Sequence, residues 1–385
     1  MPDTNYPKEF LRLLKVRLPE MLSTLQRLVL AESPSLEKEP ADRCCDILAA
    51  EWHKRSAIVE RIAQKQRGDQ LRITWWPQKS RPAGQSLVLG HYDTVYSCGA
   101  LAKMPFRVSA GKAYGPGIFD MKAGLTQALF ALDALQQIKV PVRHRLVFLW
   151  TSDEEIGSDA SRKLIETEAR RSDAVFVLEP SLGPKGLIKT ARKGVGEAEL
   201  IVSGRASHAG LAPQEGVNAI YELSQQLLRV QKWNDLRRGV TVNADVIEGG
   251  TRVNVIAERA RAVLDLRALR VADMRRIERQ LHALRPILPG AKLEVRVGLN
   301  RAPLERKSSA ALFAKAKALA AQMGLSLGEC TAGGGSDGNL TAAVGVPTLD
   351  GLGAVGHGAH SKDEHILIKA MPARAALLAS LLLNS

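Results

Sequence analysis

Aromatic residues make up only 4% of this 385-residue chain. That scarcity leaves no stacking platform of the kind that grips single-stranded nucleic acid. No apolar run approaches the ~18 residues a membrane-spanning helix needs, so no membrane partner is expected. The opening segment MPDTNYPKEF has no apolar stretch behind a basic start, and the cytoplasm is the expected location. Cysteine is sparse as well. Cys44, Cys45, Cys98 and Cys330 form no CxxC pair, which excludes a thiolate zinc site and a disulfide framework. There is no Arg-rich block either. The net charge of +14, from 54 basic and 40 acidic residues, is scattered along the chain. Such a balance reads as a solvated basic surface with a bias towards acidic small substrates, not as a nucleic-acid interface.

What the chain does have is core-forming sequence and punctuated strands. Apolar residues at 45% are ample for a large core. The first 65 residues read as helices, one over residues 22–31 and another from about 39 to 61. Three short apolar runs then follow: SLVLG (86–90), RLVFLW (145–150) and AVFVL (174–178). Each is typical of a parallel strand buried on both faces. Leucines at 125, 129, 132 and 135 repeat at helical spacing between the first two, and the alternation of strand and helix predicts an α/β fold.

From about residue 194 the pattern changes. Strands at 197–202, 240–247, 257–269 and 292–297 are interleaved with helices at 217–230 and 271–284, in the βαββαβ order of a ferredoxin-like unit. The predicted organisation is therefore a first domain part at 1–193, an inserted α+β domain at 194–304, and a return to the first domain at 305–385. The return carries an Ala-rich helix at 308–323, a strand at 346–349 and a helix at 372–383.

Polar residues cluster where the buried runs end. His91-Tyr92-Asp93 follows the first, Asp153-Glu154-Glu155 the second, and Glu179-Pro180 the third. The turn GPGIFDMK puts Asp120 ahead of a helix, and residues 356–365 carry three histidines. In an open α/β sheet, ligands sit at the carboxyl ends of the strands. So many carboxylates at one edge would repel one another and resist desolvation unless cations offset them. Imidazole and carboxylate donors without thiolate suit zinc, cobalt or manganese. Two ions sharing a carboxylate could polarise a carbonyl and activate a water. In this reading Asp93 takes the second imidazole N–H of His91 and orients the ring.

The segments GHYDTV, GPGIFDMKAG, TSDEEIGS, VLEPS and GAHSKDEHI, in this order and spacing, resemble the family of zinc exopeptidases and amidohydrolases that includes glutamate carboxypeptidase, acetylornithine deacetylase and succinyl-diaminopimelate desuccinylase. The resemblance is nearest to the glutamate carboxypeptidase branch. It implies a zinc-exopeptidase-like mixed sheet flanked by helices, with the inserted domain serving as lid and dimer interface. It also implies two Zn²⁺, with Co²⁺ or Mn²⁺ as substitutes. Their ligands would be His91, Asp120 as the bridge, Glu155, Glu179 and His360, with His357 competing for the last place. Glu154 would be the general base, assisted by Asp93 and by His208 of SGRASHAG. Asn254, Arg267, Gly334 and Gly335 would meet the substrate, with Arg301 a further candidate. The implied substrate is a small molecule or short peptide with a free carboxylate, cleaved by a homodimer as a carboxypeptidase or, alternatively, as an N-acyl amino acid deacylase. A remoter alternative is a serine hydrolase built on the G-x-S-x-G match at Ser336, followed by Asp350 and His357.

Overall fold

The computed structural model describes residues 6–139 and 141–385. It divides into two compact units, one formed by residues 1–190, 306–332 and 336–385, the other by 191–305 with 333–335.

The first unit begins with helices α1 (Tyr6–Val16), α2 (Leu18–Leu30) and α3 (Lys38–His53). The helix expected to run to residue 61 ends at His53. Ile58–Ile62 is instead strand β1, paired antiparallel with β2 (Gln70–Trp75), and neither strand was anticipated. The β-branched pair Ile58-Val59 and the outermost place in the sheet override the helical pattern. Next come β3 (Gly84–His91), the short β4 (Arg107–Ser109) and β5 (Lys112–Tyr114), α4 (Ala123–Ile138), β6 (His144–Thr151), α5 (Arg162–Arg170), β7 (Ala174–Val177) and β8 (Ile188–Arg192).

The main sheet has the order β1-β2-β6-β3-β7-β14, where β14 is Thr348–Leu349. Strands β6, β3, β7 and β14 run parallel, and β2 lies antiparallel between β6 and β1, so the sheet is mixed. Successive residues of each central strand serve opposite layers. Val88, Leu146, Phe148, Trp150 and Phe176 point into a core under α1–α4 and α10 (Met371–Leu383). Leu87, Leu89, Val147, Leu149 and Val175 point into a smaller one under α5 and α9 (Asp337–Ala343). Burial on both faces explains why these strands read as unbroken apolar runs. Trp52, Phe148 and Trp150 form a tilted aromatic cluster in the larger core, with ring centroids 4.3–5.9 Å apart. A second small sheet, not foreseen, has the order β15-β16-β5-β4, with β15 at Gly356–His357 and β16 at His365–Leu367.

The remaining elements of this unit are α8 (Arg306–Gln322) and β13 (Glu329–Ala332). The stretch before Ser336 is thus a short strand paired outside the main sheet, on β8. Among the described residues, no helix is long and apolar enough to cross a membrane.

The second unit contains β9 (Gly194–Ser203), α6 (Ala219–Gln231), β10 (Thr241–Gly249), β11 (Arg259–Ala268), α7 (Val271–His282) and β12 (Lys292–Arg301). Its sheet order, β10-β11-β9-β12, is antiparallel throughout. Alternate residues Ala198, Leu200, Val202, Ala262, Leu264 and Leu266 pack on Leu223, Ile277 and Leu281 of the two helices. The Asn218 side chain caps α6 by accepting the N–H groups of Ile220 and Tyr221.

Truncating the ring shared by the aromatic cluster tests the larger core. Phe148→Ala should lower the unfolding free energy by about 3–5 kcal/mol in chemical denaturation. A loss below about 1 kcal/mol would mean that this core does not hold the first unit together.

Candidate metal centre

The parallel register of β3, β6 and β7 brings three chemistries to one edge. His91 closes β3 opposite Thr151 of β6, and Leu89 pairs with Val177 of β7. The residues just beyond, Glu154-Glu155 after β6 and Glu179 after β7, therefore gather around the imidazole. His91 Nε2 lies 3.3 Å from Asp120 Oδ1 and 3.5 Å from Glu179 Oε1. His360 Nε2 lies 3.0 Å from Glu155 Oε2 and 3.6 Å from Asp120 Oδ2. Two ligand triads result, His91–Asp120–Glu179 and Asp120–Glu155–His360, each with its donor atoms within 4.8 Å of one another. Asp120 belongs to both and turns one oxygen to each.

This donor set fits cations. His91 Nε2, Asp120 Oδ1 and Glu155 Oε1 are buried and have no hydrogen-bond partner although they converge. Orphaned buried polar atoms carry a desolvation cost that a bound divalent ion removes. Imidazole nitrogen and carboxylate oxygen in sets of three, with no thiolate, match borderline ions of the zinc type. His357 stands outside both triads, with its ring against that of His365.

Protonation follows the same geometry. Burial opposes charge on His91, but the carboxylates of Asp120, Asp93 and Glu179 outweigh it and hold the imidazole's pKa well above its ordinary value. The bond from Glu155, supported by the charge of Asp120 and opposed by burial, lifts His360 to about 9. Burial pushes the Glu155 carboxyl upward against the bond from His360.

The ring of His91 is oriented by Asp93, though not through the atom expected. Nδ1 lies 3.1 Å from the Asp93 main-chain carbonyl, close enough to donate to it, and 3.4 Å from carboxylate Oδ1. The Asp93 carboxylate instead accepts the N–H groups of Glu154 (3.3 Å) and Glu155 (3.2 Å) and the Ser35 hydroxyl (2.7 Å). One buried aspartate thereby holds both the His91 turn and the Glu154-Glu155 turn. On the far side, Gly353 N–H donates to the Glu179 carbonyl, and Arg374 Nε donates to the Gly353 carbonyl.

The bridging Asp120 is held by a residue whose role sequence reasoning missed. The Glu364 carboxylate, 1% exposed, accepts the N–H groups of Gly117, Phe119 and Asp120 at 2.8–3.0 Å and the Tyr96 hydroxyl at 2.8 Å. Burial lifts its pKa to about 7, against the lowering effect of these bonds. The peptide after Asp120 is cis. Gly117 takes a φ of +67°, and a Cβ there would meet Thr94 Cγ2 at 2.3 Å, so only glycine suits the turn. Nothing in the local sequence pairs Tyr96 or Glu364 with residues 117–120; only the fold does.

Ser336 is not built as a nucleophile. It is fully buried, caps α9, and donates its hydroxyl to Asp350 Oδ2 at 2.5 Å. No histidine is among its partners, so the group that must take its proton is missing, and the serine-hydrolase alternative falls.

The other sequence candidates lie in the second unit. His208 and Asn254 come together there: the His208–Val255 bridge and the bond from Ala209 N–H to the Asn254 carbonyl join their loops. His208 Nδ1 accepts the N–H groups of Gly210 and Leu211, both at 3.1 Å, which leaves Nε2 as the proton-bearing nitrogen of an exposed ring. The Arg267 guanidinium is engaged by Asp265 of its own strand at 2.8–2.9 Å. The carbonyls of Gly334 and Gly335 accept Arg192 Nη1 at 3.2 Å.

Residues 87–384 match the sequence profile of the family described as Peptidase family M20/M25/M40, and the chain belongs to that family of metal-dependent hydrolases. Among individual relatives it is 34% identical to carboxypeptidase G2 of Pseudomonas sp. (strain RS-16), across 95% of this chain and 89% of that protein. It is 29% identical to acetylornithine deacetylase of Myxococcus xanthus, across 54% of this chain and 57% of that enzyme. The fold resembles the aminopeptidase PepT from Bacillus cereus, with a TM-score of 0.78 at 21% identity over 95% of this chain and 98% of the other. It also resembles the Bacillus subtilis YXEP protein, a dinuclear metal-binding peptidase, with a TM-score of 0.71 at 15% identity over 96% and 98%.

Two outcomes test this geometry. Because His91 and His360 must each lose a proton to bind a metal, affinity for Zn²⁺ should rise with pH up to at least about 9. Calorimetry in buffers of different ionisation enthalpy reads the released protons; metal uptake without proton release would contradict the assignment. Removing the clamp in Glu364→Ala should weaken metal binding by roughly 10–100-fold, as loss of an outer support does elsewhere. Retention of wild-type affinity would show that Asp120 is held by other means.

Proposed function

We propose that this protein is a two-zinc amidohydrolase that removes a C-terminal, acidic residue of the glutamate type from an N-acyl amino acid or short peptide. One observation carries the reading: Asp120 divides its two oxygens between two ligand triads, beside a turn that carries Glu154. His91, Asp120, Glu155, Glu179 and His360 would hold the ions. When bound, such a pair of ions polarises the scissile carbonyl and acidifies the attacking water.

The chain's own residues do the rest. Glu154 takes the proton from the attacking water and later delivers it to the leaving amine. Its backbone is fixed by Asp93, so its carboxylate starts from an anchored turn. His208, with Nδ1 occupied by two backbone N–H groups, has Nε2–H to donate to the oxyanion. In a homodimer, the second unit would present this histidine to the partner's metal centre. Asn254 and the N–H groups of Gly334 and Gly335 would receive the substrate's polar atoms. Arg267 could grip a substrate carboxylate only by exchanging its bond to Asp265.

The choice of a carboxypeptidase rests on the similarity to carboxypeptidase G2 along 95% of the chain. Deacylation of N-acyl amino acids is the second reading, and the partial match to acetylornithine deacetylase favours it. A cytoplasmic setting belongs to the proposal and agrees with four cysteines that form no disulfide among the described residues.

Metal content measured together with hydrolysis of N-acyl-glutamates, N-acetyl amino acids and dipeptides decides between the readings. We expect two ions per chain and chelator-sensitive cleavage of N-acyl-glutamates. Faster cleavage of N-acetyl amino acids would select the deacylase, and chelator-resistant activity would sink the two-metal mechanism. Glu154→Gln should keep its metal and lose about 10²–10⁴ in kcat; activity within a few-fold of wild type would remove Glu154 as the base.

A further inference from the structure

Arg374 is a buried cation that the hydrolytic site does not use as a ligand or base. Its side chain, 6% exposed, lies on α10 and has no carboxylate partner. Its acceptors are three main-chain carbonyls, those of Gly353 at 2.9 Å, Gly186 at 3.1 Å, and Gly351. A guanidinium has five N–H groups, so each terminal nitrogen keeps one without an acceptor. Arg55, equally buried, has both Glu51 and Asp133. Burial alone lowers the Arg374 pKa to about 10, with no neighbouring carboxylate to offset it. A desolvated charge held only by neutral dipoles is under-compensated.

Arg374 also lines a cavity of about 330 Å³, which shares no residue with the metal centre. Three cationic side chains border it, Arg374 with Lys185 and Lys369, and no aspartate or glutamate does. The two lysines are exposed and stand at its rim. The rest of the lining is largely apolar, including Leu325, Leu327, Leu367 and Leu377. Apolar walls with a few convergent polar groups, in a volume of this order, are what small-ligand sites share. The volume equals the liquid share of roughly ten waters, the bulk of a medium-chain acid.

We propose that this cavity is a second, non-catalytic binding site for a small carboxylate with an apolar body, the carboxylate paired with Arg374 and the chain lying against the leucines. The planar fork of a guanidinium suits a carboxylate through two parallel bonds. Free phosphate has the charge but no body for the apolar walls, and an alcohol of equal length has the body without the charge.

Calorimetric titration of the metal-loaded protein with 6-bromohexanoate, with 6-bromohexanol and inorganic phosphate as controls, tests the site. Lys185→Glu/Lys369→Glu reverses the rim charge, and Ala373→Phe fills the cavity; both leave Arg374 in place and should keep wild-type metal content and hydrolysis. We expect the acid to bind, to lose at least about tenfold in affinity in both variants, and to give a bromine anomalous peak within the cavity. Unchanged affinity in both variants would put the acid at the metal centre and overturn the proposal. So would absence of binding in solution, binding at crystal concentration only, or equal affinity for the alcohol or for phosphate.

Discussion

The carboxylate of Asp120 is the constraint on which the rest of this structure depends. One residue must present two oxygens in two directions, each to a different imidazole, at the edge of a sheet crowded with other acids. Left to itself such a side chain would rotate towards solvent or towards a single partner. It is prevented from doing so from the backbone. Glu364 binds the N–H groups on both sides of the turn, and Gly117 allows the chain to enter it. A carboxylate that accepts three main-chain N–H groups and a phenol is a rigid brace, because each bond restricts a different atom of the loop.

Asp93 plays the corresponding part at the strand ends. It links the end of β3 to the turn after β6, its carbonyl meeting His91 and its carboxylate accepting the N–H groups of Glu154 and Glu155, so the three residues are tied through one side chain and its backbone. The division of labour is physical. His91 Nε2, Asp120 Oδ1 and Glu155 Oε1 are left unsatisfied, while Asp93 and Glu364 behind them each accept several hydrogen bonds. Buried unsatisfied atoms cost stability, and saturated braces offset that cost close by. The raised proton affinities of His91 and His360 express the same tension: without a cation, protons are the charges at hand to neutralise the acids.

Much of the site was legible in the sequence, because parallel strands turn sequence order into spatial order. His91, Glu155 and Glu179 each follow a buried apolar run, and strands aligned in parallel bring the residues after such runs to one edge. The strand pattern of β9 and β11 was legible too, since its alternation is set by one covered face. The antiparallel pair β1–β2 was not, because an edge strand of five residues looks like the tail of the helix before it. The small sheet β15-β16-β5-β4 escaped for a related reason: its strands have two or three residues, too few to show a period.

Sequence alone determined the class of chemistry. Donor types, their places after strands and the lack of thiolate pairs are local properties, and a resemblance spread over five motifs tied them together. Tertiary structure decided which atoms actually meet. It selected His360 over His357 as a member of a triad, routed the His91 proton to the Asp93 carbonyl, and gave the Ser336 hydroxyl to Asp350. It also paired Glu364 with a turn 244 residues away and left Arg374 among carbonyls beside an apolar cavity. Contacts of that separation follow from how layers pack, and packing depends on the whole set of buried side chains at once, so no local pattern encodes them.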